Sequence, residues 1–120
     1  MSLNISIRDL GTVCILDLSG RITLGEAAGM LRDTIKDLLA KDCKNLLLNL
    51  ADVSYIDSSG LGELVGAFAT VSNRGGRLKL LNMQKRVNEL MQITKLYSVF
   101  ESFTDESAAV RSFTAKAAAV

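Results

Sequence analysis

Asp57, Ser58 and Ser59 stand in a row immediately before Gly60-Leu61-Gly62, and all three are residue types that cap a helix start. One cap satisfies a helix, so the other two have no obvious local purpose, although serine and aspartate are also simply what helix starts contain. A hydroxyl beside a carboxylate first raises nucleophilic catalysis. The chain contains no histidine, so no imidazole can take a serine proton or bind a metal. No Ser-x-x-Lys begins here to supply a lysine base, and the segment is not GxxxxGK[ST], so it lacks the lysine and the run of amides that hold a triphosphate. The position does suit a phosphate attached covalently to a serine. Amides at a helix N-terminus accommodate such a group, which adds about −1.5 to −2 charges at pH 7.

A second pattern follows Ser58. At about 100° per residue, Gly62, Gly66, Ala69 and Asn73 share one strip of the helix, beside a core stripe of Leu61, Leu64, Val65, Phe68 and Val71. Small side chains let another backbone come close. Either a partner helix docks there, next to Ser58, or a neighbouring segment of the same domain fills the space. Cys14 and Cys43 have no CxxC partner and are expected as two buried, reduced thiols, with a disulfide between them as the less favoured reading. Met83 and Met91 read as core filler. Lys79, Lys85, Arg86 and Lys95 read as a solvated face.

The elements that must position these residues alternate along the chain. Leu3, Ile5 and Ile7 alternate with polar residues, and Val13 to Ser19 follows Gly11-Thr12, predicting an antiparallel hairpin. Thr23 with Glu26 three residues later forms a capping-box pattern for a helix bearing Ala27, Leu31, Ile35, Leu38 and Leu39. The nearly continuous apolar run Asn45 to Leu50 predicts a strand buried on both faces. The helix opened by Asp57-Ser58-Ser59 closes at Asn73-Arg74-Gly75-Gly76. Arg77 to Leu81 is a strand, Val87, Leu90, Met91 and Thr94 mark a helix, and Val99 to Phe103 is a weaker strand. Thr104-Asp105-Glu106 starts a last helix with Val110 and Phe113, whose alanine-rich end is expected to fray from about Thr114. The order ββαβαβαβα predicts an α/β fold: a mixed sheet with an N-terminal antiparallel hairpin and parallel βα units, helices packed on the sheet.

The 120 residues suit one domain, 1–120. Apolar residues make up 48% and charged residues 22%, a globular balance, and the net charge of +1 leaves no footprint for nucleic acid. No apolar run approaches a membrane span and the N-terminus has no signal-peptide pattern. The expectation is a cytoplasmic domain without direct membrane contact, a monomer or weak dimer.

The string Asp57-Ser58-Ser59-Gly60-Leu61-Gly62, following Leu47-Leu48-Asn49-Leu50-Ala51-Asp52-Val53-Ser54-Tyr55-Ile56, resembles the phosphorylation segment of bacterial anti-sigma factor antagonists, the STAS domain. The hairpin Ile5–Ser19, Gly75-Gly76-Arg77-Leu78 and Val87…Leu90…Leu96 fit that pattern too, so the resemblance covers nearly the whole chain. It implies a binding module rather than an enzyme, without cofactor or metal. Its unphosphorylated form would bind an anti-sigma factor that is also a serine kinase, and so release the sigma factor. The kinase would modify the serine after the aspartate, Ser58 (Ser59 being the less favoured choice), and a serine phosphatase would restore binding. Asp57, Ser59, Gly60, Leu61, Gly62, Gly66, Ala69, Thr23 and Arg21 are the expected partner-binding residues. The family's Gly-x-Leu-Asp pattern reads Gly20-Arg21-Ile22-Thr23 here, a threonine in place of the aspartate. The alternative is a non-switching STAS subunit of a transport complex or a stressosome-like scaffold.

Overall fold

The computed structural model describes residues 3–118. Five strands form one sheet in the order β1-β2-β3-β4-β5. They are β1 (Leu3–Asp9), β2 (Cys14–Ile22), β3 (Asn45–Ile56), β4 (Arg77–Leu81) and β5 (Ser102–Phe103), interleaved with α1 (Glu26–Ala40), α2 (Ser58–Asn73), α3 (Lys85–Thr94) and α4 (Glu106–Ala118). β1 and β2 pair antiparallel, and every later pairing is parallel. This is the mixed α/β sheet that the element order predicts. The segment expected to fray is helical to Ala118, and Ala119 and Val120 lie outside the described residues.

Alternation along the strands divides the core between two faces. Leu16, Leu18, Leu46, Leu48, Leu50, Leu78 and Leu80 pack with α1, α2 and α3. Ile15, Leu47 and Leu81 point the other way, onto Ala109 and Phe113 of α4. Both faces of the central strand are therefore covered, which is why Asn45 to Leu50 is almost uniformly apolar.

Several local expectations are corrected. Thr23 does not cap α1 with its hydroxyl. Gly25, at φ 97°, is the residue before the helix, and Thr23 instead accepts from the Ala28 N–H through its backbone carbonyl (3.2 Å). β3 runs to Ile56, twice the predicted length, because β2 pairs with it as far as Ile22↔Ile56. The predicted strand from Val99 is reduced to Ser102–Phe103, preceded by a 3₁₀ turn at Leu96–Ser98. Thr94 is exposed rather than part of the buried stripe, while Met91 is core as expected. Lys79 is not on a solvated face. It is 4% exposed, donates from Nζ to the Ser112 Oγ (2.9 Å), pairs with Glu101 (3.2 Å) and lies over the Phe113 ring. Its strand position faces α4, so the whole side chain is buried and its ammonium is met by Ser112 and Glu101.

The cysteines are likewise not two free thiols: Cys14 and Cys43 form a disulfide, with Cα atoms 6.7 Å apart. The parallel pairing Cys14↔Leu46 places the start of β2 beside the segment entering β3, a proximity that a sequence separation of 29 conceals. The end of α2 follows expectation. The Gly76 N–H donates to Val71 O and the Gly75 N–H to Ser72 O, a Schellman closure with Gly75 at φ 80°.

Candidate functional site

The site forms where β2 and β3 end side by side and α2 begins. Asp57 is the N-cap of α2, and its Oδ1 accepts from the Gly60 N–H (2.7 Å). Its Oδ2 accepts from the Leu24 N–H (3.1 Å), in the connection between β2 and α1. One carboxylate thus caps a helix and ties down a loop 33 residues away in sequence. These hydrogen bonds, that of Gly60 first and then that of Leu24, hold the Asp57 carboxyl below the usual aspartate range. The Asp57 N–H completes the junction by donating to Ile22 O (3.2 Å).

With Asp57 as the cap, Ser58 is the first residue of α2 and is exposed, while Ser59 is half-buried. Among the described residues the Ser58 hydroxyl has no hydrogen-bond partner. Gly60 is buried, and a Cβ there would fall on the Ile22 carbonyl oxygen. Only glycine lets the first turn of α2 sit this close to the end of β2. Leu61, also buried, anchors the same turn in the core.

The strip of small residues faces outward. Gly62, Gly66, Ala69 and Asn73 are all exposed, and a Cβ built at Gly62 or Gly66 meets nothing within 4 Å. Among the described residues no other segment packs on Gly62 or Gly66, which argues against the internal-packing alternative. Gly66 also lines a groove of about 290 Å³ between α1 and α2, beside the Arg32–Glu63 ion pair (3.1 Å). Thr23 is half-buried, and Arg21 is exposed with its guanidinium 6.0 Å from the centre of the Tyr55 ring.

A second groove, of about 340 Å³, opens beside Ser58 and is walled by Tyr55, Arg86, Leu90 and Ile93 among others. It exists because β3 outruns β4: their pairing stops at Asn49↔Leu81, and α3 covers the unpaired extension. The Gln84 Nε2 fastens that cover by donating to Ala51 O (2.7 Å). Around the site Leu24 is 75% exposed and Ile93 78%. Sequence reasoning passed over both, and over the place of Arg86. Ile93 carried a signal, as an apolar residue off the buried stripe of its own helix.

The arrangement offers an exposed serine at a helix start, exposed apolar side chains around it, and no base or metal cluster among the described residues. Such an arrangement suits protein binding, with an accessible hydroxyl at its centre. A family model for the STAS domain matches residues 4–109. An anti-sigma-B factor antagonist of Bacillus subtilis is 35% identical over 101 residues, 84% of this chain and 91% of that protein. A candidate anti-sigma factor antagonist of Thermotoga maritima has the same fold at TM-score 0.84 and 24% identity, over 92% of this chain and 94% of that one. The anti-sigma factor antagonist SpoIIAA in its unphosphorylated form superposes at TM-score 0.75 and 23% identity, over 90% and 95%. The chain therefore belongs to the STAS-domain family of anti-sigma factor antagonists. No helix among the described residues is long and apolar enough to cross a membrane.

Proposed function

We propose that this chain works as a phosphorylation-switched antagonist: unphosphorylated, it binds an anti-sigma factor that is also a serine kinase, and so releases a sigma factor. The kinase then phosphorylates Ser58 and the complex separates, and a serine phosphatase restores the binding form. The observation that carries this reading is the division of labour at the start of α2. Asp57 takes the capping duty, so Ser58 stands exposed with an unengaged hydroxyl. A dianion there would enter a packed interface beside Asp57, where desolvation and like-charge repulsion both oppose binding. The names of the relatives agree with it, and SpoIIAA is known in a phosphorylated as well as an unphosphorylated form.

Leu24, Tyr55 and the outward strip that runs along α2 from Ser58 would form the partner-binding face, with Thr23 and Arg21 at its border. ATP belongs to the kinase, and this chain supplies only the accepting hydroxyl. The test is incubation with a cognate anti-sigma kinase and ATP, followed by intact-mass measurement and peptide mapping. One added phosphoryl group, located on Ser58, is the expected result. A phosphate found on Ser59 alone overturns the assignment to Ser58 and moves the switch to its neighbour, whereas a phosphate on neither serine leaves a non-switching STAS subunit as the better reading.

A further inference from the structure

We propose that Arg86 receives the phosphate placed on Ser58, an inference that rests on the reading of Ser58 as the modified residue. The two residues line the same groove of about 340 Å³, Ser58 from the first turn of α2 and Arg86 from the first turn of α3. Both are exposed. Among the described residues Arg86 makes no ion pair and no side-chain hydrogen bond, whereas Arg8 is held by Asp17 and Glu106, and Arg32 by Glu63. An arginine suits the task because its planar fork of donors matches two phosphate oxygens at once. Its helix gives it a firm base: Val87 and Met91 are buried, and the Gln84 side chain is fastened to Ala51.

The charges around the groove give the pairing a direction. Glu89 lines it from α3, and Asp57 adjoins Ser58 from the cap. Both repel a dianion. Arg21 lies over the Tyr55 ring, itself a wall of the groove, and is the alternative cation. Arg86 is the cation lining the groove itself, so the phosphate turns toward it and away from Asp57. The ion pair then spans the opening between Tyr55 and Ile93. Phosphorylation in this way covers an apolar wall that the binding form presents, in addition to placing charge at the interface.

The experiment installs phosphoserine at position 58 by genetic encoding or semisynthesis and follows the phosphate by phosphorus NMR through its second ionisation, ordinarily near pH 6. Arg86→Gln is expected to raise that pKa by about 0.5 or more, because a paired guanidinium favours the dianion. Arg86→Lys should restore part of the difference, high salt should narrow it, and Arg21→Gln should leave the titration in place. Superimposable titrations of Arg86→Gln and the parent phosphoprotein overturn the proposal, as does a shift produced by Arg21→Gln instead. Because the phosphate is installed without a kinase, these outcomes are separate from whether a kinase modifies Ser58. Both arginines are exposed, and equal unfolding midpoints would confirm that each variant keeps the fold.

Discussion

Asp57 and Ser58 are neighbours with opposite assignments. The aspartate spends both oxygens on backbone amides, one in its own helix and one in the loop before α1. The serine spends nothing. Replacing Ser58 should therefore cost the fold little, since the cap stays in place and both alanine and aspartate are accepted in a helix's first turn. Binding should respond strongly and asymmetrically. Ser58→Ala is expected to bind the anti-sigma partner and resist release by ATP, while Ser58→Asp should bind at least about tenfold more weakly, or about 1.4 kcal/mol. Titration calorimetry with the partner measures both, and equal affinities would contradict the switch.

At the scale of elements, α2 carries the switch at its start and an open glycine strip along its outer face. Gly66 meets nothing where a Cβ would stand. Gly66→Leu should consequently fold, and should gain up to about 1 kcal/mol from better helix propensity, while its bulk blocks a partner helix. A raised denaturation midpoint with lost partner binding is the expected pair of results, whereas unchanged partner affinity would place the interface elsewhere. A second element-level effect is the disulfide, which ties the start of β2 to the segment between α1 and β3. Closing a loop of this length is worth roughly 3–4 kcal/mol on the chain-entropy account. Reduction should lower the melting temperature by on the order of 10 °C, and an unchanged transition under reductant would show that the two thiols are not paired in solution.

Across the whole molecule, the Arg8 guanidinium joins the hairpin to α4 by bonding Asp17 (2.6 Å) and Glu106 (2.8 Å). Asn49 adds a hydrogen bond to Asp17 from β3 (2.8 Å). The Asp17 carboxyl is held below the usual aspartate range by Arg8 first, with Asn49 assisting against the opposing effect of burial. A carboxyl whose folded pKa is depressed stabilises the fold above its unfolded value of about 3.9 and loses that contribution as pH falls through the lower folded value. Asp17→Asn should thus be less stable than the parent at about pH 7, and the two should converge as pH falls below the unfolded value of about 3.9. The partly exposed setting keeps the effect modest. Urea midpoints across this range provide the check, and parallel curves would show that the pairing carries no pH-linked stability.

Periodicity alone determined the order of elements, the central buried strand and the helix opening at Asp57, because alternation of two and spacing of three to four are imposed locally by backbone geometry. The Asp57-Ser58-Ser59-Gly60 string was legible for the same reason: a helix start needs its cap within a few residues. What needed the tertiary structure was every choice made between distant segments. Thr23 and Glu26 match a capping box, yet the loop before α1 is held by Asp57 instead, and local pattern cannot register a competitor 33 positions away. Cys14 and Cys43 meet only through strand register. Lys79 sits under α4 because both faces of the sheet are covered, and Arg86 shares a groove with Ser58 because β3 outruns its partner. Local chemistry decides which residues can cap, turn or be modified, and packing decides which of them are occupied and which are left free.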